Sequence, residues 1–140
     1  MSGDKPQSFV LDSSAWITLL EDENGADQVQ QLLDKAAKGE IVLFSSFMSY
    51  MEVYYISLQE SGGVEAKERL QLMQNLPVQR HDSSYEVGVY AAQIKAQYRL
   101  SVADAWIAGL AQSLDATLVH KDPEFAQVAD IISMLELPFK

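Results

Sequence analysis

Four carboxylates stand where a core-forming segment rarely carries one: Asp12, Glu52, Asp104 and Asp122. Asp12 ends the apolar run Phe9-Val10-Leu11 and is the only charge between Lys5 and Glu21. Asp104 is the only charge between Arg99 and Asp115, inside Leu100-Ser101-Val102-Ala103-Asp104-Ala105-Trp106-Ile107-Ala108. Stripping water from an unpaired carboxylate costs several kcal/mol, so such acids need a partner. Acids far apart in the chain, but placed at element ends, can share one divalent cation. With no cysteine and two histidines, thiolate sites are excluded and zinc is disfavoured. All-oxygen chemistry then points to Mg²⁺ or Mn²⁺.

Each acid also has a structural reading. Asp12 precedes a helix and suits its N-cap, although Ser13 and Ser14 also offer caps. Glu52 falls mid-helix with Met48 at i−4 and Tyr55 and Ile56 at i+3 and i+4, an apolar ridge from which a glutamate can still reach outward. Ser101-Val102-Ala103-Asp104 fits a capping box with Asp in place of Glu, and the first helical turn favours an anion. Asp122 before Pro123 matches an N-cap followed by proline at the first helical position. No single acid establishes a metal site; the case is joint.

The hydrophobic period supplies the elements that must position these groups. Short β-branched runs predict strands over residues 8–11, 41–44, 78–80, 117–120 and 131–134. Helical spacing predicts helices over 13–20, 26–38, 47–60, 64–76, 84–98 and 103–114, with a helical turn over 123–127. Gly39 and Gly62-Gly63 stop two of the helices, and Pro77 closes a third. Strands apolar on both faces, alternating with helices, imply a mainly parallel sheet covered on both sides. In such sheets ligands collect outside the carboxyl ends of the strands, where Asp12 and Asp122 fall.

Residues 1–140 read as one domain, with 1–7 as a flexible N-terminal tail and no internal repeat or long linker. The N-terminus lacks an apolar signal core and no run could cross a bilayer, so a cytoplasmic protein with no membrane partner is expected. A net charge of −10 counts against a nucleic-acid surface of the usual basic kind, but a dication with a few local cations can present a positive site on an acidic body. The same charge suits a basic protein partner, and it also serves solubility. Exposed apolar surface on the helices around 47–58 and 26–37 would serve a partner peptide, with core packing as the competing use.

In four ordered motifs the chain resembles the PIN-domain nucleases, and within them the toxins of VapBC-type toxin–antitoxin pairs. The motifs are Leu11-Asp12-Ser13-Ser14, Ser46-Phe47-Met48-Ser49-Tyr50-Met51-Glu52-Val53, Leu100-Ser101-Val102-Ala103-Asp104-Ala105-Trp106-Ile107-Ala108, and Leu118-Val119-His120-Lys121-Asp122-Pro123-Glu124-Phe125. The resemblance implies a three-layer α/β/α sandwich around a central parallel sheet and an acidic pocket for Mg²⁺ or Mn²⁺. It implies endonucleolytic cleavage of single-stranded or structured RNA, a cognate antitoxin, and homodimerisation. One departure stands out: where the fourth motif often carries a hydroxyl residue two positions before its acid, this chain has His120.

On that footing Asp12 and Asp104 are expected to be the main ligands, direct or through water, with Glu52 and Asp122 completing the pocket and orienting water. Four carboxylates within about 4–6 Å repel one another by several kcal/mol, which a cation or protonation must relieve. Ser13 or Ser14 would donate to a phosphate at the following helix N-terminus. Lys121 and Arg99, with Lys95 behind them, are the candidate phosphate contacts, each competing with an ordinary solvated role. A phosphate-receiver domain would need an acidic pair after the first strand, where two serines follow Asp12; a haloacid-dehalogenase-like phosphatase would need an acid at Ser14. The remaining rival is a catalytically silent PIN-like protein-binding module whose acids are only caps.

Overall fold

The computed structural model describes residues 6–139. Five strands form one sheet, β1 (Gln7–Leu11), β2 (Ile41–Ser46), β3 (Gln79–His81), β4 (Thr117–His120) and β5 (Met134–Glu136), in the order β3-β2-β1-β4-β5. Every pairing among them is parallel. Six helices accompany them: α1 (Ser13–Leu20), α2 (Ala26–Ala37), α3 (Phe47–Ser61), α4 (Gly63–Asn75), α5 (Tyr85–Gln97) and α6 (Val102–Leu114). A 3-10 turn spans Pro123–Val128.

Alternation along β1 divides the core. Phe9 and Leu11 pack with Leu43, Trp16, Val29, Leu33, Tyr50 and Met73 beneath α1 to α4. Val10, one residue out of phase, packs with Leu118, Ile107, Leu110, Ile94 and Phe125 beneath α5, α6 and the 3-10 turn. Successive strand side chains point to opposite faces, so a strand apolar at every position demands a helical layer on each side. The result is the α/β/α sandwich. Each fully buried large side chain of these two cores contributes about 1.5–3 kcal/mol.

Chain direction then creates a crevice. From β1 the chain steps outward to β2 and β3, and returns through α5 and α6 to β4 on the other side of β1. The crossovers leaving β1 and entering β4 lie on opposite faces, which opens the sheet at the carboxyl ends of β1 and β4.

α5 and α6 approach closely at Gly109, where an added Cβ would lie 2.8 Å from the Ala91 backbone nitrogen and 3.0 Å from its Cα. Backbone cannot yield as a flexible side chain would. Gly109→Ala is therefore expected to cost about 1–3 kcal/mol, read as a lower urea midpoint at unchanged m-value.

Most boundaries shift by a residue or so from the sequence reading, and three of the differences have a physical reason. Gln7 pairs with Ile41 and belongs to β1 rather than to a tail, while residues 1–5 of that tail lie outside the described residues. β2 runs on through Ser45 and Ser46, both buried. Ser45 Oγ accepts the Trp16 indole N–H at 2.8 Å, so a hydroxyl stands in the core without an unmet donor. β5 begins at Met134, the last residue of the predicted 131–134, because Leu118 registers against Met134 and the Leu118 N–H donates to the Ser133 carbonyl. Ile132 is buried by the turn that precedes the strand, and its apolarity reflects packing rather than pairing. No helix among the described residues is long and apolar enough to cross a membrane.

Candidate active site

Asp12 stands one residue past β1, its N–H donating to the Val119 carbonyl at 3.0 Å and so tying it to β4. Its Oδ2 accepts from the Ser14 N–H at 3.0 Å and from the Ser14 hydroxyl at 2.5 Å. Asp12 itself is therefore the N-cap of α1, not Ser13 or Ser14 as the residue types allowed. The other oxygen, Oδ1, is buried and has no hydrogen-bond partner. Burial, and secondarily the charge of Glu52, push the Asp12 carboxyl up to about 6 against the pull of the Ser14 bonds. One oxygen thus organises a helix while its twin is left bare.

Glu52 is brought in by α3, which Ser46 caps by accepting from the Met48 N–H at 3.1 Å. Its Oε1 accepts the Ser13 hydroxyl at 2.5 Å, and Ser13 Oγ lies 3.0 Å from the buried Ser49 hydroxyl. Asp104 occupies the first turn of α6, where Ser101 Oγ accepts from the Asp104 N–H at 3.1 Å. Burial raises the Asp104 carboxyl to about 7, helped by the charges of Asp12, Asp122 and Glu52. Asp122 caps the 3-10 turn, accepting from the Glu124 N–H at 3.0 Å ahead of Pro123.

These four acids, from four separate elements, line one cavity of about 400 Å³ together with Ser13, Ser14, Lys121, Ser101, Glu23, Ile17 and Ile56. A cleft of the same volume beside Gly39, Val42 and Pro77 carries no ionisable side chain. Among the described residues no three acids close into a ready-made ligand cluster. The donor set nevertheless fits a hard cation. All its atoms are oxygens, one of them buried and bare, and Asp104 is held above its normal range partly by the other three.

Ser13 and Ser14 line the cavity, but each hydroxyl oxygen lies 2.5 Å from a carboxylate oxygen to which it donates its single proton. They position acids, and a phosphate would have to compete for them. Lys121 lines the cavity too. Arg99 does not line the cavity: it is exposed, its main chain bonded to the Gln127 side chain. Lys95 lines a different, mostly apolar cleft beside Trp106. Sequence reasoning missed Glu23 and Ser49. Ser49 sits three residues before Glu52 on the same helical face, which was legible in the spacing; Glu23 lies in a loop and carries no such signal.

His120 is buried, with its Nδ1 accepting from the Asp122 N–H at 3.1 Å and its ring edge-on to Phe125 at 5.1 Å. An accepting Nδ1 places the proton of the neutral ring on Nε2, which is buried without a partner. Burial lowers its pKa against the opposing charges of Glu136 and Asp122, consistent with that neutral form. The histidine thus shapes the turn that presents Asp122 and does not line the cavity. His120→Phe keeps the contact with Phe125 but strands the Asp122 N–H. A loss of about 1–2 kcal/mol is expected in urea unfolding.

The fold matches several solved toxin–antitoxin structures. At a TM-score of 0.79 and 15% identity, 94% of this chain covers 100% of a chain in the VapBC2 complex of Rickettsia felis bound to a fragment of promoter DNA. For VapBC-1 of nontypeable Haemophilus influenzae the TM-score is 0.71 at 22% identity, covering 93% of this chain and 98% of that one. For VapC20 of Mycobacterium tuberculosis, described as a sarcin-ricin loop cleaving toxin, it is 0.68 at 13% identity, covering 86% and 94%. Identities this low speak for fold alone, and no curated protein matches the chain significantly by sequence. The family model for the PIN domain matches residues 9–131, a span that runs from β1 past Asp122 and holds all four acids. With the acids gathered where β1 and β4 end and the match running through every motif that carries them, the chain belongs to the PIN-domain family.

Proposed function

We propose that this protein is a Mg²⁺- or Mn²⁺-dependent endoribonuclease acting on single-stranded or structured RNA, and the toxin of a VapBC-type pair. One observation carries the reading: Asp12, Glu52, Asp104 and Asp122 converge on one cavity at the sheet's switch point, with Asp12 Oδ1 buried and bare. Asp12 and Asp104 would hold the cation, with Glu52 and Asp122 bounding the pocket. A dication held there would supply positive charge against the extra negative charge of an in-line phosphoryl transition state and would acidify a water. The chain's own groups do the positioning. Ser14 fixes Asp12 through Oδ2 and so leaves Oδ1 facing its task; Ser13 fixes Glu52 through Oε1, where that carboxylate can orient water. Asp122 is steadied by the cap it makes and by the His120 ring behind it.

A partner antitoxin and self-association rest on likeness in fold to proteins described as toxin–antitoxin complexes or systems. On α3, Met51, Tyr55 and Leu58 are 55%, 43% and 41% exposed along one helical face, which suits such a partner. On α2, by contrast, Val29, Leu32 and Leu33 are buried in the core, Ala36 packs against it half-buried, and Ala37 is exposed. The silent-module alternative draws support from the caps made by Asp12 and Asp122, but capping leaves Glu52 and Oδ1 without a purpose. The deciding measurement is cleavage of a labelled single-stranded RNA with Mg²⁺, Mn²⁺ or chelator. Cleavage confined to the metal-containing reactions is the expected outcome; equal cleavage in chelator, or none in either metal, removes the reading.

A further inference from the structure

We propose that Lys121 is the cation that receives an RNA phosphate in this cavity, and that Glu23 occupies it in the free protein, so that RNA must displace the Glu23 carboxylate to bind. The inference rests on the ribonuclease reading and adds to it the groups that admit the substrate.

Among the described residues lining the cavity, Lys121 is the single basic side chain, beside the acids Asp12, Glu23, Glu52, Asp104 and Asp122. Its ammonium donates to the Asn24 carbonyl at 2.6 Å and lies 3.4 Å from Glu23 Oε1. The two partners are unequally placed. The lysine side chain is 12% exposed, whereas that of Glu23 is 43% exposed. A half-solvated carboxylate returns to water cheaply, while a sheltered ammonium left alone does not. A phosphodiester oxygen offers the ammonium the same single negative charge and the same kind of acceptor. The pair is therefore built to exchange its anion and keep its cation.

The backbone supports this division. The Lys121 N–H donates to Ser14 Oγ at 2.9 Å, and the Ser14 hydroxyl goes on to Asp12, so residue 121 is held in register with the acids. The Glu23 loop has anchors of its own: its N–H donates to the Thr18 carbonyl at 2.9 Å, and neighbouring Glu21 pairs with Arg69 on α4 at 3.0 Å. Besides Lys121, the Glu23 side chain has only Thr18 Oγ1 at 3.4 Å among the described contacts, so it can leave without the loop unfolding.

The test measures anisotropy of a short fluorescein-labelled single-stranded RNA across a salt series, with Ca²⁺ in place of Mg²⁺ and RNA integrity checked on a gel. It compares the parent, Glu23→Gln, Lys121→Met, Lys121→Arg and the Glu23→Gln/Lys121→Met double variant. Glu23→Gln is expected to tighten binding about fivefold and Lys121→Met to weaken it about fivefold, with an effect of Glu23→Gln below about twofold once Lys121 is gone. Lys121→Met should also reduce the slope of log affinity against log salt by about 0.7, which Lys121→Arg restores. Equal tightening by Glu23→Gln with and without Lys121 would mean a diffuse charge effect and overturns the exchange. Unchanged affinity in both single variants, with loss of thermal stability only, would mean a structural ion pair and also overturns it while leaving the ribonuclease reading intact. Absence of RNA binding by every protein sinks both.

Discussion

Asp104→Asn is expected to lower metal-dependent RNA cleavage by at least about a thousandfold, the scale on which transition-state electrostatics act. The substitution keeps the size of the side chain and removes its charge. It leaves α6 intact, because the cap runs from Ser101 Oγ to the Asp104 backbone N–H and does not use the carboxylate. The side chain lines a cavity shared with Asp12, Glu23, Glu52 and Asp122, so under the proposed metal assignment a lost carboxylate is a lost cation ligand. Asp12→Asn should be as severe in activity but less clean in structure. Its amide nitrogen would take the buried place of Oδ1, where no acceptor waits. Single-turnover cleavage in Mg²⁺, alongside thermal unfolding of each variant, separates the two effects. Asp104→Asn activity within tenfold of the parent would leave the metal assignment without its main support.

The second large effect is on stability, and its sign follows from the direction of the carboxylate shifts. Asp12 is raised to about 6 and Asp104 to about 7 from an ordinary 3.8, so without metal the folded protein holds both protons more tightly than the unfolded chain does. A raised acid contributes its stability in full below the unfolded value and loses it as pH climbs through the folded value. The chelated protein should therefore weaken steadily between about pH 4 and 8. For Asp12, buried and shifted to about 6, the loss is on the order of 2–3 kcal/mol. Asp104 is only half-buried and shares its repulsion with the same neighbours, so its contribution is smaller and overlaps the first.

Saturating Mg²⁺ should reverse the slope, because the cation binds the ionised acids of the folded state. Asp104→Asn in chelator should remove only the smaller share of it and leave the part that belongs to Asp12. Urea unfolding at pH 5 and 8, each with Mg²⁺ and with chelator, reads all of these. An identical pH dependence in both media would show that no cation engages Asp12 or Asp104.

Local chemistry was enough to determine the layered architecture and the four acids. Parallel strands buried on both faces advertise themselves as unbroken apolar runs, as in Phe9-Val10-Leu11 and Leu118-Val119, and an isolated Asp beside such a run is conspicuous. Helix ends were legible through Gly39, Ser101 and Asp122-Pro123, because caps and stops act over three or four residues. What resisted was whatever depends on partners distant in the chain. The register that starts β5 at Met134 is set by Leu118, and the extension of β2 through Ser45 by the Trp16 indole.

The same limit applied inside the cavity. That Asp12 spends one oxygen on Ser14 and keeps the other bare depends on Lys121, whose N–H fixes the Ser14 hydroxyl from 107 positions away. That Arg99 belongs to Gln127, and that Glu23 faces Lys121, are equally tertiary facts. Residue types can declare which atoms would hold a cation; only the folded arrangement of β1, α3, α6 and the segment after β4 decides which of them meet, because orientation at a shared cavity is set by packing across the sheet and not along the chain.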